Sequence, residues 1–181
     1  MKMRIARRAA LAAGLAAMAG GACATTMSSD PVTFEGVFAA PLVQGADLRG
    51  PKGVRVSAGL RLTNTTRQTL RVSTLGAVTL ELLDGQGRTV PFAGGSNMGM
   101  AIRPGEGVAI SAGKSLTLPL AGTLRLAGRE LSWRGDDGFM GTWPVNPTAD
   151  GYSLRLRYRP LNAAAWKGQG VSSPSPLPLK G

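Results

Sequence analysis

Histidine is absent from the 181 residues, cysteine occurs once, and aromatic side chains make up only 5%. Without imidazole the chain cannot build Ser–His–Asp or Cys–His nucleophilic machinery, nor a zinc or copper site on histidine. A single cysteine cannot close an internal disulfide, so the fold must stand on packing alone. No stretch approaches the roughly 20 apolar residues that a membrane-spanning helix needs. Carboxylates are few, ten in all and mostly in turn-like segments. A carboxylate pair for glycoside hydrolysis is therefore a poor reading, and neither an enzyme nor a cofactor is expected.

What is present begins with an address. A basic stretch (Lys2, Arg4, Arg7, Arg8) precedes an apolar Ala/Leu run over residues 9–19, and Cys23 follows. That order is expected of an export signal. The segment Ala19-Gly20-Gly21-Ala22-Cys23 resembles the signal of bacterial lipoproteins, which implies cleavage before Cys23 and acylation of its thiol. Gly20 stands where those signals usually carry Leu, Val or Ile. Ala22-Cys23-Ala24 is also an ordinary A-x-A site, so cleavage after Ala24 is the competing reading. Residues 1–22 are thus read as the signal, 23–31 as a polar tether and 32–181 as one domain. Ala24 after the cysteine resembles outer-membrane sorting; the alternative address is the periplasm.

Charge fits that address without naming a ligand. Four of the 21 basic residues and none of the ten acids lie in the signal, which leaves +7 of the formal +11 on the remainder. The excess permits attraction to anionic polymers, phosphate headgroups or an acidic protein. Nucleic acid is not expected as a partner of an exported chain with few aromatics.

Beyond Pro31 the hydrophobic period is two. In Val54-Arg-Val56-Ser-Ala58-Gly-Leu60-Arg-Leu62-Thr63 the even positions are apolar and the odd ones polar or small, the pattern of a half-buried antiparallel strand. Asn64-Thr65-Thr66 reads as a turn. Asp84-Gly85-Gln86-Gly87 reads as a hairpin between strands at 77–83 and 88–92. Further strands are expected at 69–73, 115–120, 123–126, 130–133 and 152–159. The glycine-rich segments 93–107 and 134–150 are expected to be loops at the ends of the domain. Pro174, Pro176 and Pro178 recur at every second position. They would delete donors from one edge only of a final strand, leaving Ser175, Leu177 and Leu179 to pair; a solvated polyproline tail is the alternative. Seven to nine short strands with no convincing helix predict an all-β fold, an immunoglobulin-like antiparallel β-sandwich.

Several residues could carry binding. Arg155, Arg157 and Arg159 share one strand face and could grip phosphate or carboxylate, or else form an ordinary solvated face. Met98 and Met100 sit in the 93–107 loop, where thioethers more often make an adaptable apolar contact than ligate copper. Asp136-Asp137 between glycines is more often a turn than a calcium loop. Of Trp133, Trp143 and Trp166, at least one should belong to the core. Trp143 is expected to be the exposed one and a partner contact. No metal site is expected.

Two resemblances bear on the fold. Tyr152-Ser-Leu-Arg-Leu-Arg-Tyr158, Trp166-Lys-Gly168 and Ser172-Ser-Pro174 resemble the closing strands of exported immunoglobulin-like domains. Leu60-Arg-Leu-Thr-Asn64-Thr-Thr, Leu80-Glu-Leu-Leu-Asp84-Gly-Gln-Gly87 and Gly113-Lys-Ser-Leu116 resemble the strand–turn sequence of the bacterial intracellular proteinase inhibitor family. The tryptophan segment that follows the Asp-Gly turn in that family has no counterpart here. The first functional expectation is a non-catalytic cell-envelope binding or scaffolding module, anchored to the membrane through Cys23. A secreted protease-inhibitor-like sandwich and an adhesion module for anionic envelope polymers are the alternatives.

Overall fold

The computed structural model describes residues 31–38, 45–96, 107–160 and 165–179. Cys23, Met98 and Met100 lie outside these residues, as do the signal and most of the tether. In chain order the elements are β1 (Val32–Phe38), a single helical turn α1 (Gly45–Leu48), β2 (Val54–Asn64), β3 (Leu70–Val72), β4 (Val78–Leu83) and β5 (Ala93–Ser96). They continue with β6 (Val108–Ile110), β7 (Ser115–Ala127), β8 (Glu130–Gly135), β9 (Phe139–Pro144), β10 (Ser153–Tyr158), β11 (Gly170–Val171) and β12 (Ser175–Pro176).

Every pairing is antiparallel. One sheet has the order β1-β2-β7-β8-β9-β5, and a second places β10 between β4 and the pair β11 and β12. A small ribbon, β3 with β6, completes the set. The domain is all-β, an antiparallel β-sandwich as expected. The described strands number twelve rather than seven to nine because five of them span only two to four residues each.

Period two decides what is inside. On β2, Val56, Leu60 and Leu62 are buried while Arg55 and Arg61 point outward. On β10, Leu154, Leu156 and Tyr158 are fully buried and face the core shared with Leu80 and Leu82 of β4. Packing β10 and β4 against β2 and β7 joins the two sheets. This apolar interior supplies the main driving force for folding.

The sequence suggests two strands at 115–126, but β7 runs through as one. Ala121-Gly122 is no turn. A Cβ on Gly122 would stand 2.5 Å from the Trp133 ring, so glycine there makes room for the tryptophan. Pro119 is tolerated in β7 because β8 pairs only with residues from Gly122 onward, so its missing N–H removes no ladder bond to β8.

The proline-rich tail is a strand. Its two pieces lie along the edge of β10 opposite β4, with Arg157 opposite Val171 and Leu154 opposite Ser175. Between these pairs the register slips by one residue, a β-bulge at 172–174. Ser172 secures it: its N–H donates to Leu156 O, and its buried Oγ accepts from Leu156 N and donates to Ser173 O. Leu177 N donates to Tyr152 O, and Leu177 and Leu179 are buried. The inward donor belongs to a leucine, and Pro176 and Pro178 fall on the alternate positions.

Candidate functional site

Trp143 is not exposed. It lies in β9, not in a loop, and is 1% accessible. The glycines at 135, 138 and 141 hide an alternation in which Phe139, Gly141, Trp143 and Val145 face inward. Trp143 then sits opposite Leu131, and Phe92 packs on it with ring centroids 4.7 Å apart. Trp133 is buried too, and Trp166 stacks with Phe34 and Tyr158. No tryptophan platform for a ligand results, and Trp143 is a core residue instead of a partner contact. The expected loop 134–150 is in fact the β8–β9 hairpin followed by a short turn at 146–149.

The arginine face of β10 forms as expected, but two of its three side chains are engaged. Glu81 of β4 lies directly opposite Arg155. Arg155 Nε donates to Glu81 Oε2 at 2.8 Å, Arg157 Nε donates to Glu81 Oε1, and Arg155 Nη2 reaches Thr89 Oγ1 at 3.2 Å. Burial pushes the Glu81 carboxyl up, but hydrogen bonds from Arg157 and Arg155 outweigh it and hold the group below its usual range. Arg159 lies just past the strand and is exposed, its N–H bonded to Ala77 O. This face is a cross-strand ion triad plus an exposed arginine that holds no carboxylate among the described residues, not a row of three open guanidinium groups. Glu81 was legible only as an outward position in Leu80-Glu-Leu82; its pairing with β10 was not.

Asp136 and Asp137 make the β8–β9 turn. Asp137 Oδ1 accepts from Phe139 N at 3.0 Å, and Asp136 pairs with Arg55 of β2. The hydrogen bonds from Arg55 hold the Asp136 carboxyl low. Both carboxylates are used by the fold, and no group of three potential metal-ligating side chains occurs among the described residues.

Two outer edges of the described sheets, β12 and β5, differ sharply; β1, at the other end of the β5 sheet, also has no strand beyond it among the described residues but carries the charge of Glu35. The β12 edge carries Pro176 and Pro178, a device that stops further strands from adding. The β5 edge, Ala93-Gly94-Gly95-Ser96, carries neither proline nor charge. Its inner side pairs with β9, with Ala93 opposite Thr142 and Gly94 opposite Gly141. Ala93, Gly94 and Gly95 are exposed, and no described residue pairs with the outer side. A strand is unexpected here because Ala and Gly have little strand propensity. What enables it is Gly141: a Cβ there would lie 2.5 Å from Ala93 O, so the close backbone approach needs glycine.

The fold and this site define a class: an antiparallel β-sandwich whose β5 edge carries neither proline nor charge. No protein-family model matches the chain, and no curated protein matches its sequence. Among solved structures it is similar to the crystal structure of a FixG-related protein from Vibrio parahaemolyticus, at 12% identity, over 79% of this chain and 94% of that one. The TM-score is 0.32, a likeness too small to bear on function.

Proposed function

We propose that this protein is a non-catalytic binding or scaffolding module of the cell envelope, tethered through a lipid on Cys23, which takes an extended segment of another envelope protein by strand addition at β5. The observation that carries the reading is the contrast between β12 and β5: prolines close the first, whereas no described residue pairs with the outer side of the second, whose residues are glycine, alanine and serine. Main-chain hydrogen bonds at an open edge supply affinity, and pockets for alternate side chains supply specificity. The basic and apolar stretches before Cys23 support the address.

Two measurements test it. Labelled palmitate should enter the wild-type protein and keep it in the membrane fraction, and Cys23→Ala should abolish both. A photo-crosslinking residue at Gly95 should give a discrete adduct with one envelope protein, and the same residue at Pro176 should give none. Deuterium exchange on the purified pair should then show the 93–96 amides protected. A diffusible, unlabelled protein that inhibits a protease stoichiometrically through another surface would overturn the reading in favour of a secreted inhibitor.

A further inference from the structure

Five arginines of this domain are engaged by carboxylates among the described residues. Arg55, Arg61, Arg88, Arg155 and Arg157 each hold a carboxylate: Asp136, Glu35, Asp84 and, for the last two, Glu81. Arg49 and Arg125 hold none among the described residues, and these two line one cleft of about 410 Å³. Its remaining wall is the β7–β8 turn at Gly128 and the loop at Pro147 and Thr148. Among the described residues no carboxylate lines it.

The walls are built firmly. Arg49 Nη2 donates to Leu179 O at 2.8 Å, which fixes that guanidinium against the last strand and leaves its other N–H groups to point elsewhere. The β7–β8 turn requires Gly128, whose φ is +59°. Ser132 Oγ donates to Arg125 O at 3.1 Å and steadies the strand that presents Arg125. Across the cleft Asn146 Oδ1 accepts from both the N–H and the hydroxyl of Thr148, at 3.2 and 2.8 Å. Gly53 packs closely on the same strand, β7, since a Cβ there would lie 3.0 Å from Arg125 Cβ. Asp47 and Glu130 are the nearest acids along the chain to Arg49 and Arg125, and neither forms an ion pair with them.

We infer that this cleft binds a phosphate group, as a monoester or diester, held between Arg49 and Arg125. Like charges gathered in a concave site repel one another and focus a positive potential, which an entering anion turns into attraction. Guanidinium forks match phosphate oxygens bidentately. The cleft volume leaves space for the group that the phosphate is esterified to. The ester could be a lipid headgroup or a soluble phosphorylated compound; the recognition chemistry is the same. This site is independent of the strand-addition reading, because β8 and β9 separate β7 from β5 in the sheet.

The experiment titrates the Cys23→Ala protein with inorganic phosphate at low salt, following backbone amides by NMR. Saturable shifts should centre on Gly128 and Thr148. Arg125→Gln should weaken binding about tenfold, the loss expected for one charge-assisted hydrogen bond. Arg134→Gln, an exposed arginine on the same sheet outside the cleft, should leave it unchanged. A second arm floats the protein on phosphatidylglycerol vesicles and on phosphatidylcholine vesicles. Flotation with the former alone, lost in Arg125→Gln, identifies a headgroup; phosphate binding without flotation identifies a soluble ester. Shifts that do not saturate, or equal losses in Arg125→Gln and Arg134→Gln, would overturn the site as no more than diffuse charge attraction.

Discussion

Replacing Asn64 by alanine should be among the most damaging changes available that removes no hydrophobic group. Asn64 is wholly buried at the end of β2, and each of its side-chain hydrogen-bonding positions is filled. Nδ2 donates to Gln68 O at 2.7 Å and to Ile110 O at 2.8 Å, while Oδ1 accepts from Thr66 N at 3.0 Å and Thr66 Oγ1 at 2.8 Å. One amide thus ties the turn at 65–68 to β6. Truncation keeps the backbone bonds to Lys114 O and from Gly113 N but strands the buried Ile110 carbonyl. An orphaned buried polar group costs about 1–3 kcal/mol, and each more exposed bond lost costs about 0.5–1 kcal/mol. With one orphaned carbonyl and three further bonds the sum is at least about 2.5 kcal/mol, a large share of the roughly 5–15 kcal/mol that stabilises a typical domain. At about 2–4 °C per kcal/mol for a domain of this size, Tm should fall by at least about 5 °C in calorimetry. Asn64→Asp should be no better, because it supplies no donor to Ile110 O and buries a charge. A loss below about 1 kcal/mol in urea titration would refute the reasoning by showing that water takes over the abandoned partners.

Three further outcomes follow from the same packing. Tyr158→Phe removes the acceptor of the Ser73 N–H, a 2.9 Å bond inside the core, and should cost about 1–2 kcal/mol with faster deuterium exchange at Ser73. Because Glu81 titrates below its ordinary value of 4.5, its share of stability is present above that value and is lost as pH falls through the lowered one. Glu81→Gln should therefore lower the urea midpoint at pH 7 and flatten its decline towards pH 3; an unchanged acid limb would show that other carboxylates set it. Trp143→Ala should cost about 3–5 kcal/mol through the cavity left beside Phe92 and Leu131, and retention of near-native stability would contradict its burial.

The sequence was most legible where alternation was uninterrupted. Val56, Leu60 and Leu62 on β2, and Leu154, Leu156 and Tyr158 on β10, announced both their strands and their inward faces. The Asp84 turn was equally plain: Asp84 Oδ1 accepts from Gln86 N and Arg88 N, the local bonding that makes such residues turn formers. Glycine obscured the rest. Gly122, Gly135 and Gly141 read as breaks in a pattern, yet they are inward positions left without side chains so that Trp133 and neighbouring backbone can approach. Pairing across long sequence separation was also invisible. Nothing near Arg155 in the chain points to Glu81, and nothing near Asn64 points to Ile110. The candidate site suffered most, since an open edge is defined by its place in the sheet order and not by its own residues.

The position of β10 has a kinetic consequence. Its long partner β4 lies some 70 residues earlier, as the Arg155–Glu81 contact shows with a separation of 74, and its other edge is completed only by residues that come after it. The local partners of β10 among the described residues are the two-residue strands β11 and β12, and its longer partner must be recruited from far along the chain. Closing such loops precedes any reward from the contacts they permit, which places the domain among slow folders. During synthesis β2, β4, β7 and β8 all precede β10 in the chain, so the core positions that Leu154, Leu156 and Tyr158 fill stay incomplete until residues 153–158 arrive.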